Sequence, residues 1–90
     1  MNSFNDRNFI IIIASSNRGA FLYKKLIELG VNVEIMATPC KLSKGCTRSI
    51  KCSREQFDII KDQAQKYNIT INGIYERIIE NKKYKYVKVE

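Results

Sequence analysis

The chain has 90 residues, 44% hydrophobic and 28% charged, with a formal net charge of +7. That is the length of one domain with a modest core, and the composition is that of a globular rather than a disordered protein. Histidine and tryptophan are absent, which removes the commonest acid–base side chain from any catalytic scheme.

Residues 1–7 are polar and read as a flexible arm. Residues 8–14 then form a continuous apolar, β-branched run, Asn8-Phe9-Ile10-Ile11-Ile12-Ile13-Ala14. The run suits a strand buried on both faces. It is too short to span a membrane and lacks the basic flank of a signal peptide. A cytoplasmic protein with no membrane association is expected.

Ser15, Ser16 and Asn17 are N-cap candidates. Phe21, Leu22, Leu26 and Leu29 recur at helical spacing, and Gly30 supplies a left-handed stop, so a helix is expected over about 17–29. Val31 to Met36 alternates and predicts a strand with one buried face. A loop over 37–47 follows, then a short strand from Arg48 to Cys52. Ser53-Arg54-Glu55-Gln56 has the form of a capping box. It opens a helix over about 54–67, with Phe57, Ile60, Ala64 and Tyr67 as its apolar stripe. Ile69, Ile71, Ile74 and Ile78 mark the last core strand. Glu80 to Lys83 reads as a turn, and residues 83–89 as an added edge strand whose lysines discourage aggregation. The order β-α-β-β-α-β plus a final strand predicts an α+β, ferredoxin-like plait forming a single domain over 1–90.

The plait hosts many functions, so the site has to carry the argument. Residues 40–54 hold all three cysteines and five basic residues, Lys41, Lys44, Arg48, Lys51 and Arg54, with no acid. Lys82, Lys83, Lys85 and Lys88 form a second basic cluster. Cys40, Cys46 and Cys52 are six residues apart. Zinc sites prefer shorter pairs and four ligands, and no Cys-x-x-Cys is present, so no metal is expected. No phosphate-binding glycine loop appears either, since Asn17-Arg18-Gly19-Ala20 lacks the fingerprint. No cofactor is expected, and the acidic residues show no paired arrangement.

Cys46 has the chemistry of a reactive thiol. Gly45 leaves room for a reactant, and Lys44, Arg48 and Lys41 would stabilise a thiolate, persulfide or selenide anion. The alternative is a small buried filler inside a solvated loop. Cys40 is either a resolving thiol for Cys46 or a neutral loop residue. Cys52, at the end of a strand, reads as inward packing.

At these residues the chain resembles a selenium/sulfur carrier-like family of small bacterial proteins. The resemblance covers about residues 8–76. It includes the opening apolar strand, Leu29-Gly30-Val31, Thr38-Pro39, Ser43, Cys46, and Asn72-Gly73-Ile74-Tyr75. It implies that Cys46 is the chalcogen carrier and that Pro39 and Ser43 shape its loop. Cys40 stands where the family usually has arginine, and Thr47 where it usually has glycine. The resemblance implies a carrier more than a turnover enzyme, with a sulfur or selenium donor enzyme and an acceptor protein as partners.

Three other functions are compatible with the residues: a Cys40/Cys46 redox switch, a nucleic-acid-binding module, and a protein-interaction module using the basic loop. Against the second, Arg48-Ser49-Ile50-Lys51-Cys52 has no aromatic to stack on bases. Tyr84 and Tyr86 could stack, but an amphipathic edge strand is the favoured reading of that segment. The oligomeric state stays open.

Overall fold

The computed structural model describes residues 8–42 and 47–90. The expected arm over 1–7 lies outside them. The elements are β1 (Phe9–Ile13), α1 (Ser16–Glu28), β2 (Glu34–Ala37), β3 (Arg48–Cys52), α2 (Phe57–Lys66), β4 (Ile71–Glu80) and β5 (Lys83–Lys88). They form an α+β structure with one five-stranded sheet in the order β2-β3-β1-β4-β5. Every strand pair in it is antiparallel.

The sheet is built around β1. Its five residues are all buried, as a strand flanked on both sides requires. Phe9, Ile11 and Ile13 point to one face. There they join Leu22 and Leu26 of α1, Phe57, Ile60 and Ala64 of α2, and Ile50, Cys52 and Ile74 of the flanking strands. Both helices therefore lie on the same side of the sheet. The rings of Phe9 and Phe57 meet edge to face at 5.1 Å, and Phe21 and Tyr67 join the two helices at 5.0 Å. Each fully buried aliphatic side chain here contributes about 1.5–3 kcal/mol.

Gly19 allows α1 to approach the sheet. A Cβ on it would stand 3.0 Å from the Arg48 Cβ and 3.5 Å from the Ile13 Cβ. The helix starts where the sequence suggests, with the Ser15 hydroxyl accepting from the Arg18 N–H at 3.4 Å.

Both helices stop in the same way. Gly30, at φ 80°, gives its N–H to the Ile27 carbonyl, while Val31 gives its own to Leu26 at 2.9 Å. Asn68, at φ 56°, bonds to Gln65, while Ile69 bonds to Ala64 at 2.7 Å. Both are Schellman motifs. They move two strand boundaries away from the sequence expectation. The second strand was expected over 31–36 but forms at Glu34–Ala37, because the Val31 N–H is spent on the helix end and Val33 bonds back to Val31. The last core strand starts at Ile71 rather than Ile69, because the Ile69 N–H is likewise taken. The α2 segment also opens more tightly than expected, as one 3-10 turn over Arg54–Gln56 before the α-helix proper. There the Ser53 N–H donates to Gln56 Oε1 at 2.9 Å, as the capping box required.

β4 is twice the length of β1. Its pairing with β1 ends at Glu76, so residues 77–80 continue with β5 as a two-stranded ribbon. The ribbon turns at Asn81 (φ 53°) and Lys82 (φ 64°). Two consecutive left-handed residues make the tight hairpin that matches strand twist.

Candidate functional site

Ile10 and Ile12 are 0% and 3% exposed, yet they point away from the helices. Their burial needs a second cover. The β2–β3 connection starts beside Ser49, the β3 partner of Ile12. Thr38 begins that connection at the Ile13 end of the sheet, whereas the β4–β5 ribbon projects from the Phe9 end. Pro39, Cys40, Lys41 and Leu42 nonetheless line the same depressions as Lys82, Lys83, Tyr84 and Tyr86. The described start of the connection, residues 38–42, is therefore a strap that meets the ribbon. Leu42 is half-buried at that meeting point, and its N–H donates to the Pro39 carbonyl at 2.9 Å.

The strap has a tight neck. The Thr38 N–H donates to the Thr47 carbonyl at 3.1 Å. The Thr47 hydroxyl donates to Thr38 Oγ1 at 2.8 Å, and Thr38 Oγ1 and Ser49 Oγ share a bond of 2.7 Å. Ser49 is fully buried and is the one buried polar residue among those described. Three hydroxyls at alternating positions thus tie the outgoing limb to the returning one. Thr47 follows Cys46 directly in the chain, so the neck fixes the residue next to that cysteine. These hydroxyls were not singled out from the sequence. Their signal was there: Thr47 and Ser49 alternate on one face of the strand, opposite Met36 and Thr38.

Gly73 and Tyr75, part of the Asn72-Gly73-Ile74-Tyr75 segment, lie on this same face beside Ile12 and Ile10. The Tyr75 ring covers the glycine, and a Cβ at Gly73 would stand 3.1 Å from it.

Ser43, Lys44, Gly45 and Cys46 lie outside the described residues. The other candidates separate. Cys40 is an exposed free thiol, and Lys41 beside it is exposed as well. Arg48 points to the helix side, where its Nε donates to Ser16 Oγ at 3.1 Å. Lys51 points to the opposite face, next to Ile10 and Glu34. Arg54 lies over the Phe9 ring at 5.0 Å. Strand alternation thus distributes the described cations of the basic run over both faces. Cys52 is buried, as expected of an inward strand residue, and burial pushes its thiol from near 9 up to about 12. That thiol stays protonated and cannot serve as a nucleophile.

Among the described residues no helix is long and apolar enough to cross a membrane. No curated protein and no solved structure matches the chain. A sequence model of the family described as "Putative Se/S carrier protein-like" matches residues 8–76, from the start of β1 to the last β4 residue paired with it. The matched stretch includes the whole strap, its neck and Cys46. The chain belongs to the selenium/sulfur carrier-like family.

Proposed function

We propose that this protein is a sulfur or selenium carrier that holds the chalcogen on Cys46. The family match over residues 8–76 carries this reading. The Cys46 thiolate attacks the terminal sulfur of a persulfide on a donor enzyme. A new S–S bond forms at Cys46, the donor's S–S bond breaks, and the donor cysteine leaves as a thiolate. The transfer is redox-neutral and needs no cofactor. A selenium atom presented on a donor selenosulfide moves in the same way. An acceptor protein then takes the terminal atom, and the Cys46 thiolate is restored. The chain acts as a cytoplasmic shuttle rather than a turnover enzyme.

Supporting features lie close to Cys46 in the chain. Lys44, Lys41 and Arg48 supply positive charge for the persulfide anion, which positive neighbours stabilise as they do a thiolate. Gly45 gives access, and Pro39 and Ser43 shape the loop. The neck of Thr38, Thr47 and Ser49 holds the loop's two limbs together. Cys40, exposed on the outgoing limb, is the candidate resolving thiol. The strand order, with both helices on one side, agrees with a ferredoxin-like plait extended by β5.

The test is intact mass after incubation with a small persulfide donor or a small selenosulfide donor. The wild type gains the mass of one sulfur or selenium atom, and Cys46→Ser does not. No gain on the wild type, or an equal gain on Cys46→Ser, overturns the proposal. Loss of two hydrogens on mild oxidation, mapped to Cys40 and Cys46, would mark the redox-switch alternative instead.

A further inference from the structure

From the groove between strap and ribbon we infer that the protein binds single-stranded nucleic acid there, an activity that does not use the Cys46 thiol. The groove lies on the side of the sheet away from the helices, where the strap residues Cys40 and Lys41 face the ribbon. Its volume is about 490 Å³, within the range of pockets that hold a ligand the size of a nucleotide. Two tyrosines form its wall. Tyr84 and Tyr86 alternate along β5, opposite Ile79 and Arg77, so both rings are on the same face. Tyr84 is 49% exposed, and the Arg77 guanidinium lies 4.4 Å from its ring centre. The arginine holds one side of the ring and leaves it oriented.

The rim is cationic. Lys41 comes from the strap, Lys82 from the hairpin turn, and Lys83 and Lys85 from β5. Glu80 is the one acidic lining residue, and its carboxylate lies 3.9 Å from Lys85 Nζ. That leaves three lysines facing an occupant. Phosphates satisfy the lysines, and flat base faces satisfy the tyrosines. Single-strand binders combine these two features, a cationic groove with aromatic stacking positions. An acidic peptide would use the charge but leave the ring faces unexplained. A duplex cannot offer its stacked bases to the tyrosines.

The edge-strand reading of Tyr84 and Tyr86 treated them as ordinary amphipathic alternation. The structure gives that alternation a different meaning, because the tyrosine side of β5 faces a lysine-lined groove instead of the helix core.

The test uses the full chain and a fluorescein-labelled oligouridylate of about eight nucleotides, a length within single-strand site sizes. Fluorescence anisotropy is read against salt. Three phosphate contacts give a slope of log K against log salt near −2, at about −0.7 each. Tyr84→Ala/Tyr86→Ala weakens binding by about thirtyfold or more, the loss of two stacked bases at about 1–3 kcal/mol each. Tyr84→Phe/Tyr86→Phe retains it. Lys41→Gln/Lys83→Gln reduces the slope by about 1.4, a readout that holds even if the alanine pair fails to fold. Cys46→Ser binds like the wild type, so failure of the carrier reading and failure of this one are separable. Absence of binding at low salt overturns the inference. So does equal affinity for a duplex or an acidic peptide, or a folded alanine pair with unchanged affinity.

Discussion

Thr38→Val tests whether the hydroxyl neck holds the strap. The substitution keeps the shape of the side chain and deletes the central oxygen of the chain Thr47–Thr38–Ser49. Two hydrogen bonds are lost, each worth about 0.5–1.5 kcal/mol net. In addition, the Ser49 hydroxyl, at 0% exposure, loses its bond to Thr38 and has no water to replace it. A buried polar group stripped of its partner costs about 1–3 kcal/mol more. The expected destabilisation is therefore about 2–6 kcal/mol. Ser49→Ala removes one bond and leaves Thr38 still accepting from Thr47, so it costs about 1 kcal/mol. The double variant Thr38→Val/Ser49→Ala costs less than the sum of the two, because no hydroxyl remains stranded. Urea unfolding of the four proteins closes the double-mutant cycle. A Thr38→Val cost no larger than that of Ser49→Ala, or strict additivity in the double variant, refutes the argument. Amide exchange gives a second readout, since the Thr38 N–H bonds across the neck to the Thr47 carbonyl. Its protection should fall in Thr38→Val before that of the β1 core.

Further outcomes follow from the buried thiol and the glycines. Iodoacetamide at mildly alkaline pH should label Cys40 in the native protein and Cys52 only after unfolding, because one is exposed and the other is buried with its pKa at about 12. The same shift sets a pH dependence. Above about pH 9 the unfolded chain releases the Cys52 proton while the native state retains it. Stability then falls with rising pH until the native thiol also ionises near 12, by at most about 1.4 kcal/mol per unit, and Cys52→Ala removes this slope in urea titrations. Gly30→Ala should cost about 1–2 kcal/mol from backbone conformation alone, since φ is 80° and a Cβ would meet nothing within 4 Å. Gly19→Ala should also destabilise in thermal melts, although alanine favours a helix by about 1 kcal/mol over glycine. Here the cause is contact, because the new Cβ would press on the Arg48 Cβ at 3.0 Å, and α1 or β3 must shift by a few tenths of an ångström to relieve it.

Much of the architecture could be read from local pattern. The all-apolar run at β1 announced a strand covered on both faces. The 3.6-residue spacing of Leu22 and Leu26, and of Phe57, Ile60 and Ala64, announced two helices with one buried side each. The boundaries that moved did so for one reason. At Val31 and Ile69 the side chain reads as strand, but the backbone N–H closes a helix. Hydrophobic pattern reports which side chains are buried and does not report where each N–H is spent. The site was less legible. Cys46 was found by its basic neighbours and its family motif, both of which are properties of sequence. The neck and the groove join residues 9 to 47 positions apart, and no local pattern encodes such a meeting.

The sequence by itself determined the two helices, the strands and the turn at Asn81–Lys82, because these follow from side-chain periodicity and backbone preference within a few residues. It also determined the family and the cysteine on which the proposed function turns. Only the tertiary structure decided that residues 39–42 meet the β4–β5 ribbon. It alone separated Arg48 from Lys51 on opposite faces and made Thr38, Thr47 and Ser49 one hydrogen-bonded unit. Those outcomes depend on strand register and on the cover that Ile10 and Ile12 require away from the helices. Register is a relation between distant segments, fixed only when the whole sheet assembles.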